Sequence, residues 1–324
     1  MGVEVAPRPR HLLDVDEWSD ADIEQVVSSA LAYRDEQRSD ALRGRHVALL
    51  FAEPSTRTRL SFEIAANNLG AKTALIDPAA SSMVKGETLV DTVRNLDALG
   101  FALLVLRHHR AGAPWVAARY FGGAVVNAGD GWHSHPTQAL LDLLTLRDAF
   151  GGGADALRGR KVAIVGDVLH SRVARSNVWT LSRAGAEVWL CGPQRWLQGL
   201  DALTATLTTD LDQALRGASA VMGLRVQRER MGGSELSLDE YVGRYQITAQ
   251  RLARSAPDAF YLHPGPINEG VEVARSVARG PRSLVMAQVR NGVAVRSAVF
   301  ALLAAGVYPT QTSSATRDLS SVRR

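Results

Sequence analysis

Val47-Ala48-Leu49-Leu50-Phe51, then Pro54-Ser55-Thr56-Arg57-Thr58-Arg59, then Leu60-Ser61-Phe62-Glu63-Ile64-Ala65-Ala66: this succession decides the fold. The first run is apolar and of strand length, and the third spaces its apolar residues as a helix does. The middle run therefore sits where a strand hands over to a helix. Free N–H groups and the positive end of the helix dipole favour an anion there. Each Arg adds a planar fork matched to phosphate oxygens. A Ser in this place is also an ordinary N-cap, with the Arg residues solvated. Two hydroxyl–guanidinium pairs within six residues favour phosphate binding.

Moving outward, short apolar runs recur at Thr73–Ile76, Phe101–Leu106 and Ala124–Val126. Helical patterns separate them at Leu60–Leu69, Thr88–Leu99 and Pro114–Tyr120. Upstream, Ser19-Asp20-Ala21-Asp22 reads as a capping box before a helix carrying Ile23, Val26, Val27, Ala30 and Leu31. Alternating strands and helices predict an α/β fold with a parallel sheet. Gly151-Gly152-Gly153 then breaks the pattern, and Lys161-Val162-Ala163-Ile164-Val165-Gly166-Asp167 restarts it. Leu157-Arg158-Gly159-Arg160-Lys161-Val162-Ala163 echoes Leu42-Arg43-Gly44-Arg45-His46-Val47-Ala48. The expectation is two similar domains, 1–149 and 150–291, each a parallel sheet flanked by helices. A final helix over 292–306 is read from Val295, Ala298, Val299, Leu302 and Leu303. The Ser/Thr/Arg-rich stretch 307–324 is expected to be disordered.

The chain has 324 residues, 46% of them hydrophobic and 22% charged, a globular composition. No apolar run approaches the ~20 residues of a membrane span. Residues 1–8 lack the apolar core of a secretory signal, and Ala6 stands where a myristoylation motif needs Ser or Thr. The single cysteine, Cys191, excludes an intrachain disulfide and any multi-cysteine zinc site. It ends the run Glu187-Val188-Trp189-Leu190 and reads as a buried strand-end thiol. A cytoplasmic location and no metal or cofactor are the expectations. The net charge of +4 is spread along the chain, and only 6% of residues are aromatic. That disfavours nucleic acid and suits a cleft for small anions.

Further constellations carry chemistry. His135-Pro136-Thr137-Gln138 opens a helix with Pro136 at its first position. His135 and Gln138, three apart, can share one side of the helix mouth and offer donors and an acceptor to a planar group bearing C=O and NH2. Capping is the alternative. Ser81-Ser82-Met83-Val84-Lys85-Gly86-Glu87 places a rare lysine in a Gly/Ser loop, able to close over an anion or simply to be solvated. Arg107 ends a strand run, where an α/β sheet lines its ligand crevice. His108 and His109 receive no role.

In the second half, Gly166-Asp167-Val168-Leu169-His170-Ser171-Arg172 lacks dinucleotide-site spacing but places Arg172 near a helix start, suited to a carboxylate. Asp167 reads as a cap of that turn. Arg225 and Gln227 point the same way from an extended segment and suit a second carboxylate. In His263-Pro264-Gly265-Pro266 the prolines remove donors and leave carbonyls free to accept.

Together these motifs closely resemble the aspartate carbamoyltransferase family, from about residue 10 to 305. The resemblance implies carbamoyl phosphate and L-aspartate as substrates, N-carbamoyl-L-aspartate and phosphate as products, and a place in pyrimidine synthesis. It implies that Ser55, Thr56, Arg57, Thr58 and Arg107 hold phosphate, with Ser81 and Lys85 entering from an adjacent subunit. Thr58, Arg107 and His135 would polarise the carbamoyl oxygen. Gln138 and the carbonyls of Gly265 and Pro266 would hold its NH2. Arg172 would take the α-carboxylate of aspartate, and Arg225 with Gln227 the β-carboxylate. The site would lie in the interdomain cleft, with the last helix packing back on the first domain.

Trans-acting Lys85 implies a homotrimer; relatives variously work alone, with zinc-bearing regulatory chains, or with dihydroorotase. Ornithine carbamoyltransferases share the first-domain motifs, but their Ser-Met-Gly and His-Cys-Leu-Pro motifs are absent here. A non-catalytic assembly protein on this fold is disfavoured by the intact site positions. One departure from the pattern is Glu269, in Asn268-Glu269-Gly270, where many relatives carry Arg; a changed loop or interdomain contact is expected.

Overall fold

The computed structural model describes residues 11–35, 38–77, 86–226 and 237–305. Ser81, Lys85 and Gln227, with the termini 1–10 and 306–324, lie outside the described residues.

The first half contains α1 (Asp20–Asp35), β1 (His46–Phe51), α2 (Thr56–Asn68), β2 (Lys72–Ile76), α3 (Leu89–Ala98), β3 (Leu103–His108), α4 (Ala113–Tyr120), β4 (Ala124–Asp130) and α5 (Pro136–Ala149). The second contains β5 (Lys161–Val165), α6 (Arg172–Arg183), β6 (Glu187–Cys191), β7 (Thr206–Thr208), α7 (Leu211–Leu215), β8 (Ala220–Gly223), α8 (Leu238–Tyr245), α9 (Ala249–Ser255), β9 (Phe260–Leu262) and α10 (Arg275–Ala278). Helix α11 (Val285–Ala304) closes the described chain.

Two all-parallel sheets result, ordered β2-β1-β3-β4 and β7-β6-β5-β8-β9. Strand side chains alternate between faces, so a strand apolar at every position must be covered on both. That is what β1 does: Val47 and Leu49 join one core, Ala48 and Leu50 another. In β5, Val162 and Ile164 share the core of Val47 and Leu49, while Ala163 and Val165 face a third core with Tyr241, Tyr245 and Tyr261. The shared core runs between the sheets through Leu140 and Leu144 of α5, Val178 and Leu181 of α6, and Val295 and Val299 of α11. Helix α11 lies against α1, α2 and α5.

Local chemistry sets the boundaries. Ser19 and Asp22 form the reciprocal cap of α1, Asp22 N–H donating to Ser19 Oγ at 3.2 Å and Ser19 N–H to Asp22 Oδ2 at 2.8 Å. Several boundaries differ from the sequence expectation, and three of them bear on the site. Helix α2 begins at Thr56, so Thr56, Arg57 and Thr58 form its first turn. Arg107 lies inside β3, one residue from its end. Helix α11 begins at Val285; its first turns bury the polar Gln288 and Asn291, so apolar periodicity does not register them.

Candidate active site

In both sheets the loops after the strands' carboxyl ends carry the chemistry. After β1, Ser55 stands at the N-cap of α2 with φ −162°, yet its side chain makes no cap hydrogen bond. The plain capping alternative is thereby answered for this hydroxyl. Thr58, one turn in, is buried. Arg57 reaches across to the second half, its Nη1 donating to the carbonyl of Pro264 at 3.1 Å. Gly265, at φ +75°, packs so close that a Cβ there would overlap the Arg57 guanidinium.

Arg107 and Arg172 come from different sheets and meet over one carboxylate that the sequence reading passed over. Glu53 Oε2 accepts from Arg172 Nη2 at 2.7 Å and lies 3.5 Å from Arg107 Nε. Arg172 Nη1 also donates to the carbonyl of Gly131 at 3.0 Å. Close approach requires Gly129, at φ +116°, where a Cβ would come within 3.0 Å of Arg172 Nε. Burial, then the neighbouring Arg172, bring the Arg107 pKa down to about 10, opposed by Glu53, so it stays a cation at neutral pH.

His135 precedes α5 and is buried; its N–H donates to Ser176 Oγ on α6 at 2.9 Å. Burial, then the positive charges of Arg107, Arg296 and Arg172, hold its imidazole well below the ordinary histidine range. The ring is therefore neutral, and its Nδ1 has no hydrogen-bond partner among the described residues.

Gln138 begins a chain of hydrogen bonds that links α5 to the β9 loop. Its Nε2 donates to Asp142 Oδ1 at 2.9 Å. Asp142 also accepts from Gln288 Nε2 of α11 at 2.7 Å and from Asn177 Nδ2 of α6 at 2.8 Å. Gln288 Oε1 accepts from the backbone N–H of His263 at 2.9 Å, and His263 Nδ1 accepts from Gly265 N–H at 2.9 Å. Asp142 is fully buried; desolvation raises its pKa to about 6, opposed by the three amides and by Arg296. Arg296, itself buried, donates to the carbonyl of Gly292 and lies over the Phe62 ring. Burial lowers its pKa to about 9, and the charge of Asp142 opposes that fall.

Arg225 is exposed just past β8, and Val226 beside it is buried, its carbonyl accepting from Asn268 Nδ2 at 3.0 Å. Burial holds the His263 pKa below the ordinary range, with Glu272 opposing the fall and the charges of Arg57 and Arg225 adding to it. The backbone of Gly265–Pro266 stands beside them, with a cis peptide. Two groups thus form: Arg107 and Arg172 on Glu53, with their charges acting on His135, and Arg57 on the His263–Pro266 loop, which a hydrogen-bond chain ties to Gln138. Glu53, Asp142, Asn177, Gln288 and Arg296 were missed. They lie in or beside strand and helix patterns, where a lone polar residue carries no motif.

Three peripheral expectations are also decided. Asp167 caps its turn, accepting from His170 N–H at 3.3 Å and facing His170 Nδ1 at 2.8 Å. Cys191 is buried, its pKa pushed up to about 12 by desolvation. Among the described residues Glu269 pairs within the second half of the chain, with Arg275 on α10 at 3.7 Å and with Arg279 just after it at 2.7 Å. Among the described residues no cluster of His, Cys, Asp or Glu could hold a metal ion, and no helix is long and apolar enough to cross a membrane.

The family model for the aspartate/ornithine carbamoyltransferase carbamoyl-P binding domain matches residues 10–148, and that for the Asp/Orn binding domain matches residues 158–303. The aspartate carbamoyltransferase catalytic subunit of Roseiflexus sp. (strain RS-1) is 47% identical over 303 residues, 90% of this chain and 94% of the relative. That of Desulforudis audaxviator (strain MP104C) is 49% identical over 304 residues, 92% and 98%. A crystal structure of aspartate transcarbamoylase from Trypanosoma cruzi in complex with carbamoyl aspartate and phosphate superposes with TM-score 0.79 at 28% identity, covering 93% of this chain and 99% of that one. Ornithine carbamoyltransferase from Thermus thermophilus superposes with TM-score 0.81 at 30% identity, covering 92% and 99%. Backbone shape alone therefore does not separate the two substrates.

Proposed function

The chain belongs to the aspartate/ornithine carbamoyltransferase family, and from that premise we propose how its own residues carry out the aspartate reaction. The enzyme transfers the carbamoyl group of carbamoyl phosphate to the amine of L-aspartate, giving N-carbamoyl-L-aspartate and phosphate. The observation that carries the residue assignment is the meeting of Arg107 and Arg172, from separate sheets, over Glu53, with both charges acting on a neutral, buried His135.

Ser55, Thr56, Arg57, Thr58 and Arg107 hold the phosphate at the start of α2, where N–H groups and helix dipole add to the guanidinium charge. Arg172 takes the α-carboxylate of aspartate, with Glu53 steadying its fork. Arg225 and Gln227 take the β-carboxylate. The aspartate nitrogen attacks the carbamoyl carbon, forming a C–N bond while the carbonyl oxygen gains negative charge. Thr58, Arg107 and His135 face that oxygen. Losing one preorganised donor of this kind typically costs about 10²–10³ in rate. A neutral His135 donates a hydrogen bond without adding a third charge beside two guanidinium groups. Collapse breaks the C–O bond to phosphate, whose oxygen keeps the electron pair and takes the amine proton, so that phosphate leaves as the hydrogen phosphate dianion. Gln138 and the carbonyls of Gly265 and Pro266 hold the carbamoyl NH2. Much of the remaining acceleration is the holding of two anions side by side.

Ser81 and Lys85 complete the site from an adjacent subunit of a homotrimer, which works alone, with regulatory chains or with dihydroorotase. Its place is cytoplasmic pyrimidine synthesis, without metal or cofactor. Phosphate release from carbamoyl phosphate, with L-aspartate and L-ornithine compared, tests the reading. Turnover with aspartate alone supports the carboxylate roles of Arg172 and Arg225; turnover with ornithine overturns them.

A further inference from the structure

Amide oxygens and nitrogens cannot be told apart by shape, so the direction in which Gln138 presents its amide has to be deduced. The backbone supplies a fixed starting point. The N–H of His263 can only donate, so the Gln288 atom 2.9 Å away is an oxygen. The other end of the Gln288 amide is then the NH2, and it lies 2.7 Å from Asp142 Oδ1. Asp142 Oδ1 is therefore an acceptor. The Gln138 atom 2.9 Å from the same oxygen must be a donor, its Nε2. It follows that Gln138 Oε1 faces away from Asp142. Among the described residues nothing donates to it.

We infer that Asp142 is a positioning residue that makes the enzyme selective for a carbamoyl group: by taking the amide hydrogens of Gln138 and Gln288 on one oxygen, it turns Gln138 Oε1 toward the substrate as an acceptor for NH2 and, through Gln288 and His263, holds the Gly265 loop. Asp142 itself touches no substrate. The inference rests on the assignment of Gln138 and Gly265 to the carbamoyl NH2. It adds the reason why that end of the site accepts hydrogen bonds and does not donate them. Burial enforces this polarity. Asp142 is fully enclosed, with an amide from each of α5, α6 and α11 as its donors, and no alternative donor from water is needed. An acyl phosphate bearing CH3 in place of NH2 leaves the acceptor unpaired and is rejected for that reason.

The test compares carbamoyl phosphate, by its KM at saturating aspartate, with acetyl phosphate, by its competitive inhibition constant. The ratio of the two is read in the wild type, Gln138→Ala, Asp142→Ala and Asp142→Asn. Gln138→Ala narrows the ratio about 10- to 100-fold, the size of one lost hydrogen bond with its partner left unpaired. Asp142→Ala narrows it similarly, because the Gln138 amide is free to turn. Asp142→Asn keeps an oxygen for Gln138 and Gln288 once the Asn177 amide turns over, and restores most of the ratio. A merely structural defect would lower binding of both ligands together and leave the ratio unchanged. If Gln138→Ala narrows the ratio while Asp142→Ala does not, the positioning role is overturned and the Gln138 assignment survives. If Gln138→Ala leaves it unchanged, that assignment fails and takes the inference with it. Should Asp142→Ala not fold, neutron diffraction of the deuterated wild type decides: deuterons on the Gln138 atom facing Asp142 support the role, and a bare oxygen there overturns it.

Discussion

Glu53 Oε2 accepts from Arg172 Nη2 at 2.7 Å while standing 3.5 Å from Arg107 Nε, so one carboxylate oxygen joins two cations that belong to different sheets. Side-chain exposure is 15% for each Arg and 29% for Glu53, so the pairing is only partly screened. Glu53→Gln leaves two like charges facing each other without a counterion. The expected outcome is a rise of about tenfold in the KM for aspartate, the scale of one charge-assisted hydrogen bond, with a smaller change for carbamoyl phosphate. Steady-state kinetics with each substrate varied in turn checks it.

Gly265→Ala is expected to damage the site twice over. The left-handed backbone at φ +75° costs a residue with a Cβ about 1–2 kcal/mol, and the new methyl must displace the Arg57 guanidinium. A fall of about 10²-fold or more in kcat/KM for carbamoyl phosphate should follow. Its resemblance to the loss in Arg57→Ala, measured in parallel, identifies the displaced guanidinium as the cause.

Asp142 gives a pH signature with a definite sign. Burial raises its pKa from the ordinary carboxylate value to about 6 on folding, opposed by the amides of Gln288, Asn177 and Gln138 and by the charge of Arg296. The folded state thus binds this proton more tightly than the unfolded state. The resulting stabilisation is full below pH 4 and is lost as pH rises through 6, by about 3 kcal/mol in all. Against Asp142→Asn, the wild type should therefore gain relative stability as pH falls from 7 to 4. Denaturant unfolding of both proteins across that range measures the difference; a constant difference contradicts the buried ionised carboxylate.

Glu269→Ala provides a contrast. Its partners Arg275 and Arg279 are 72% and 62% exposed, and such ion pairs contribute about 0–1 kcal/mol. Activity should be unchanged and the urea midpoint nearly so. A marked loss of activity would show that the reversed charge acts on the cleft.

Mixing Arg57→Ala and Lys85→Ala proteins with subunit exchange tests the shared site. If Lys85 acts from an adjacent subunit, some sites in the mixed trimers carry neither lesion and activity returns. Continued inactivity after proven exchange excludes sharing.

Much of the fold was legible because both sheets are parallel and covered on two faces, which writes each strand as a continuous apolar run such as Val47–Phe51 or Val162–Val165. The turn proposed to bind the anion stood out because its chemistry is local: Ser55, Thr56, Arg57 and Thr58 are neighbours in sequence and occupy one cap and one helical turn. Arg172 and His135 stood out for the same reason, each at a helix start following a strand.

What the sequence by itself determined is therefore whatever depends on near neighbours: strand, turn and helix identities, the two-sheet plan, and which loops carry cationic or hydroxyl side chains. Only the tertiary structure decided the pairings. Glu53 acquires its role from Arg172, 119 positions away, and Asp142 from Gln288, 146 positions away. A buried carboxylate is tolerable only where donors converge on it, and that convergence exists only once α5, α6 and α11 have packed together. No local pattern encodes it, because the free energy that fixes those residues comes from removing water between segments that meet only in the folded chain.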